Sequence, residues 1–276
     1  MPANGLGRER LAGVRAFLVD LDGTTYIDSE LLPGAKAFLD YLRETGIPHL
    51  FLSNNSSCSG SEYVERLRRL GIPAERKDVM TSGDATIEYL LRRTEFRRPY
   101  VIGTEPLLAD FAAAGFDVNG PDCDSVVAAF DTTLTFEKLE RACALLFDGA
   151  PYYATHPDKT CITARGLIPD IAAIIAACEA VTGRVPKIIG KPEAEIVSLA
   201  LEILGTNAGE TAIVGDQLDT DMTMGRQSGL VSCLVMTGET SEERLAGCPA
   251  ELRPDLVLSG IRELGDLVMS QSSKPQ

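Results

Sequence analysis

The chain has 276 residues with 26 Lys and Arg against 40 Asp and Glu, a formal charge of −14, and is 45% hydrophobic and 24% charged. This balance excludes a disordered chain and argues against a nucleic-acid partner, which calls for a basic face. No stretch approaches the roughly 18 apolar residues that cross a bilayer, so no membrane partner is expected, and the polar start Met1–Arg10 points to a cytoplasmic address.

The length suits one large domain or two modest ones, with a core that needs no staples. Seven Cys are scattered, with no CxxC pair and none beside a His, which predicts reduced thiols and gives zinc no support.

The first apolar run, Val14–Val19, stops at Asp20-Leu21-Asp22-Gly23-Thr24. Residues two apart on an extended strand share a face, so Asp20 and Asp22 can both enter one pocket. Two close carboxylates call for a divalent cation; an Asx-type turn leaving the strand is the plain alternative. Pro33 opens a helix carrying Phe38, Tyr41 and Leu42, closed near Gly46. The second run, His49–Leu52, stops at Ser53-Asn54-Asn55-Ser56-Ser57. Such a loop offers hydroxyl, amide and backbone donors suited to a phosphate, or simply caps the next helix. That helix spans Ser61 to Leu70, with Gly71 behind it.

From Gly83 to Pro186 a second alternation runs through Pro99–Gly103, Ser125–Phe130 and Tyr152–Thr155 to a helical stretch, Ile171–Val181. It lies between the second and third polar clusters, so it is inserted rather than appended. The domains expected are a core in two parts, 1–82 and 187–276, and the insertion at 83–186.

Lys187–Ile189 then stops at Gly190-Lys191-Pro192-Glu193. A lysine leaving a strand there would hold a phosphate oxygen as a point charge, or would snorkel at the surface. A helix follows from Glu193 to Leu204, closed by Gly205. Ala212–Val214 stops at Gly215-Asp216-Gln217-Leu218-Asp219-Thr220-Asp221, again a set for hard-cation ligation or acids complementing a helix dipole. Asp219 suits the dipole role, while Asp216 at the strand end is better placed for metal. Leu230–Met236 ends at Thr237-Gly238, and the tail after Met269 is expected to fray. Buried strands alternating with helices predict an α/β fold with a parallel sheet, whose polar strand ends share one crevice.

Taken together, DLDGTTY, SNNS, GKP and GDQLDTDM, with Ala154–Asp158 and Gly166–Pro169 in the middle, resemble the motifs of the haloacid dehalogenase superfamily. The subgroup is the NagD-like, nitrophenylphosphatase-like one, and the likeness runs from about Val14 to Leu258. It implies a Rossmann-like, doubly wound core with an inserted α/β cap. It also implies hydrolysis of a small phosphorylated metabolite through an aspartyl-phosphate. On that resemblance Asp20 is the nucleophile and Asp22 the general acid and then base. Mg²⁺ is held by Asp20, Asp216 and the Asp22 carbonyl, with Asp221 orienting metal-bound water. Ser53, Asn54 and Lys191 hold phosphate oxygens. The subgroup often has Asn where this chain has His156, Arg where it has Gln217, and an apolar residue at Thr25. His156 is therefore a candidate substrate contact, with a solvent-facing loop histidine as the alternative; His49 is structural. Phosphotransfer to a small acceptor, a non-catalytic phospho-ligand sensor and a homo-oligomer all stay open.

Overall fold

In the computed structural model, which describes residues 5–163 and 166–272, the short apolar runs form parallel strands. Strand Ala16–Asp20 is buried along its whole length. It pairs in parallel with Thr211–Gly215 on one side and His49–Ser53 on the other. Val231–Val235 and Leu256–Leu258 extend the sheet beyond Thr211–Gly215, and Val79–Thr81 closes the opposite edge, making six strands. Successive strands after Ala16–Asp20 are laid down first on one side and then on the other. The carboxyl end of Ala16–Asp20 is thus a topological switch point, where open α/β sheets bind ligands.

The helix predicted from Pro33 runs Ala35–Glu44 and buries Ala35, Phe38, Leu39 and Leu42, one face at 3.6-residue spacing. Phe38 meets Phe17 of the central strand edge to face, with ring centres 5.3 Å apart. Helix Ile261–Ser272 packs on the same helix. Ser270, Gln271 and Ser272 complete it rather than fray; residues 273–276 lie outside the described residues.

The chain forms two compact units. One comprises the described residues of Met1–Ser53, Val64–Val79 and Val197–Gln276; the other comprises those of Asn54–Tyr63 and Met80–Ile196. The second unit holds its own four-stranded parallel sheet in the order Lys187–Ile188, Tyr152–Ala154, Ser125–Ala128, Pro99–Ile102. Helices Phe136–Phe147 and Ile171–Thr182 pack on each other and bury Cys143, Leu146, Ile174 and Cys178 with strand residues Val126 and Ala128. An antiparallel pair, Thr160–Thr163 with Gly166–Pro169, carries no strand signal in the sequence, and Gly166–Pro169 shows no alternation of buried and exposed residues. The strand leading to Lys191 pairs with Tyr152–Ala154 and so belongs to this smaller sheet. No helix among the described residues is long and apolar enough to cross a membrane.

Candidate active site

The site in the first unit starts from strand register. Val19 sits opposite Val214 and Asp20 opposite Leu52, so Asp20 ends its strand beside Gly215-Asp216 on one side and Ser53 on the other. Both Asp20 and Ser53 are buried. Past Asp20 the chain folds back at once. The Leu21 carbonyl accepts the N–H groups of Thr24, Thr25 and Tyr26 at 3.3, 2.8 and 3.2 Å, and Gly23 N–H donates to the Tyr26 carbonyl at 2.9 Å. Gly23 takes φ +81°, a value that disfavours a residue with a Cβ. Thr25 Oγ1 donates to the Asp20 carbonyl at 2.8 Å, locking the strand end.

Asp216 leaves its strand to meet this turn. Glu239 N–H donates to its Oδ2 at 2.6 Å, and Thr240 Oγ1 donates to its carbonyl at 2.6 Å. Asp221 lies on a single wide helical turn, Leu218–Met222, of the i→i+5 kind that recurs at functional sites. The Gln217 N–H donates to its carboxylate at 3.3 Å. Asp20, Asp216 and Asp221 are all buried, with one carboxylate oxygen from each within 4.8 Å of the others. Ionised carboxylates 4.8 Å apart repel by roughly 3 kcal/mol per pair at an effective dielectric constant near 20. Three of them in one pocket therefore fit a hard, oxygen-seeking divalent cation, and the donor set is all oxygen. Asp219, by contrast, is exposed and pairs with Arg244 at 2.8 Å, outside the cluster.

Asp22 stands beside the cluster rather than in it. Its carboxylate is about half exposed (48%) and lies 3.9 Å from Arg66 Nη1. Arg66 also donates to the Tyr26 hydroxyl at 3.5 Å. Burial pushes the Tyr26 phenol far above its ordinary pKa, with Asp22 adding and Arg66 opposing, so this hydroxyl stays neutral.

In the second unit, Asn54 and Lys191 form one clamp. The Lys191 N–H donates to Asn54 Oδ1 at 2.9 Å, and Asn54 Nδ2 donates to the Lys191 carbonyl at 3.0 Å. The same Nδ2 donates to both oxygens of Asp158 at 3.2 Å, and Ser82 Oγ donates to the Asn54 carbonyl. The Asn54 side-chain amide thus shapes the Lys191 turn and holds Asp158. Lys191 itself is buried, which excludes the snorkelling alternative. Burial also raises the Asp158 carboxyl above the usual range, against His156, Asn54 and Lys191.

His156 is neither solvent-facing nor open at either nitrogen. It has no exposed surface; Nδ1 lies 2.9 Å from Thr155 Oγ1 and 3.4 Å from Ser82 Oγ, and Nε2 lies 3.1 Å from Asp170. A ring so enclosed fixes the loop that also carries Asp158. The sequence separates Thr155–Asp158 from Asp170 by a hairpin, so nothing in its spacing marks this pair.

In the sequence Thr237-Gly238 marks only a strand end. A Cβ at Gly238 would overlap the Asp216 carboxylate, and one at Gly215 would overlap that of Asp221. Gly238→Ala is therefore expected to displace the Asp216 carboxylate. It should weaken divalent-cation affinity about 10–100-fold, the range that partners of metal ligands command. Calorimetric Mg²⁺ titration checks this, with a far-UV spectrum to verify the fold.

The chain's likenesses run along most of its length. The family model described as haloacid dehalogenase-like hydrolase matches residues 17–117, and one described as HAD-hydrolase-like matches residues 188–264. An acid sugar phosphatase of Staphylococcus aureus (strain USA300) is 39% identical over 230 residues, which span 83% of this chain and 89% of that one. Among solved structures, a 4-nitrophenylphosphatase from Thermotoga maritima is 41% identical, with TM-score 0.90 over 94% of this chain and 99% of its own. NagD from E. coli K-12 is 31% identical, with TM-score 0.83 over 91% and 98%.

Proposed function

Because this chain belongs to the haloacid dehalogenase-like hydrolases and is a phosphatase, we propose that it hydrolyses small phosphomonoesters, sugar phosphates foremost, in two steps through Asp20. The observation that carries the proposal is the buried trio Asp20, Asp216 and Asp221 at a switch point of the parallel sheet.

In the first step an Asp20 carboxylate oxygen attacks phosphorus, the ester bond breaks, and Asp22 gives its proton to the departing oxygen. In the second, Asp22 takes a proton from water as that water attacks phosphorus, releasing phosphate and restoring Asp20. Splitting one hydrolysis in two lowers each barrier, and positioning with charge stabilisation does most of the remaining work. The three carboxylates would hold Mg²⁺, which when bound neutralises part of the charge that otherwise repels a phosphate dianion. Ser53 donates to a phosphate oxygen. Lys191, steadied by the Asn54 clamp, supplies the matching positive charge. His156 supports the Asp158 loop through Asp170 and reaches substrate only through that loop. The inserted cap selects the leaving group. Seven cysteines without a disulfide suit a reducing, cytoplasmic setting.

The test is phosphate release with Mg²⁺ from a panel of sugar phosphates, nucleotides and 4-nitrophenyl phosphate. Sugar phosphates are expected to show the highest kcat/KM. Release confined to nucleotides would overturn the substrate class, and transfer to an added sugar in place of release would make the protein a phosphotransferase.

A further inference from the structure

Arg66 is not among the residues that the motifs single out, yet it touches both ends of the turn that carries Asp22. That turn closes on itself through a bridge between Asp22 and Tyr26. Arg66 lies on helix Gly60–Arg69, one residue before the fully buried Leu67 and three after the buried Tyr63. This places its guanidinium at the border of the buried face. From there it stacks 5.8 Å above the Tyr26 ring centre, donates to the Tyr26 hydroxyl at 3.5 Å, and stands 3.9 Å from the Asp22 carboxylate. Tyr26 is fully buried and so gives the guanidinium a fixed support.

We propose that Arg66 is a positioning residue for Asp22: anchored on Tyr26, it holds the Asp22 carboxyl in the orientation from which its proton passes to the leaving oxygen. The proposal rests on Asp22 being the general acid. The step itself balances without Arg66. The carboxyl O–H of Asp22 gives its proton to the ester oxygen as the P–O bond breaks, the bonding pair leaves with that oxygen, and Asp22 is left a carboxylate. Arg66 contributes geometry. A carboxylate side chain has several staggered rotamers open to it in general, and proton transfer demands hydrogen-bond reach to one atom. A pair this exposed adds little to stability, so its effect falls on orientation.

A positioning role has a signature that a packing role lacks. An alkoxide leaves only with a proton, whereas 4-nitrophenolate leaves without one. The readout is kcat/KM, which reports the step that expels the alcohol, measured on Mg²⁺-loaded full chain with a sugar phosphate and with 4-nitrophenyl phosphate. Arg66→Met is expected to lose about tenfold or more on the sugar phosphate and to stay within about twofold on 4-nitrophenyl phosphate. Arg66→Lys recovers part of the loss, and Tyr26→Phe, which removes one anchor and keeps the ring, falls between. If Arg66→Met does not fold, the lysine and phenylalanine variants carry the same comparison. Equal losses on both substrates would overturn the proposal and leave Arg66 as packing over Tyr26. Asp22→Asn separates the two layers. A loss of roughly 10²–10⁴-fold on the sugar phosphate, well above the loss on 4-nitrophenyl phosphate, upholds the general acid, whereas equal losses for Asp22→Asn overturn that assignment itself.

Discussion

Asp20→Asn is expected to lower phosphate release by roughly 10⁴-fold or more, the scale on which a removed nucleophile is felt, while the folded state keeps or gains stability. The substitution is nearly isosteric in a buried position, and the backbone carbonyl that Thr25 holds is untouched. What changes is charge. An amide oxygen cannot attack phosphorus usefully, and the trio with Asp216 and Asp221 loses one of its mutually repelling carboxylates. Without metal, the melting temperature should therefore stay level or rise, the pattern of an active site that is strained for its task. Steady-state kinetics and a thermal melt in chelator give both halves of the result. Near wild-type kcat in Asp20→Asn would falsify the covalent route.

Excess chelator should silence the enzyme, and added Mg²⁺ should restore it. The cause is electrostatic: a phosphate ester of about two negative charges would meet three buried carboxylates, and a divalent cation among them offsets most of that repulsion. Ca²⁺ should restore activity poorly, since its larger and looser shell relaxes the in-line arrangement. Mg²⁺ should also raise the melting temperature of the wild type, as any ligand of the folded state does, and raise it much less in Asp216→Asn. Full turnover in excess chelator would sink the metal requirement, whatever the melting data show.

Much of this site is legible in the sequence because buried parallel strands are short apolar runs with polar ends. Asp20, Ser53 and Asp216 each follow such a run, and register does the rest. What stays hidden is set by contacts across the chain. The resemblance implies a phosphate donor at Asn54, and no local pattern shows that its side-chain amide bonds the Lys191 backbone 137 residues away. Gly238 matters because the Asp216 carboxylate occupies the space of its missing Cβ, and no local pattern announces that. His156, a candidate substrate contact in a polar string, is fully buried and meets Asp170 across a hairpin. Asp221 is delivered by one wide turn, Leu218–Met222, that has no repeating sequence period. Strand Lys187–Ile188 is too short to announce which sheet will take it.

The second unit is assembled from two separated stretches, 54–63 and 80–196, and this governs how the unit can be transplanted. A chimaera cut only at 80 and 196 would bring Lys191 and Asp158 from the donor while the recipient still supplied residue 54. The clamp that joins Asn54 to both would then be made of mismatched halves. Two short splices more, taking 54–63 along, keep every partner of that amide from a single parent. The smallest interchangeable piece of this protein is a pair of segments, and a swap designed on one of them inherits a broken hydrogen-bond set before any substrate is tried.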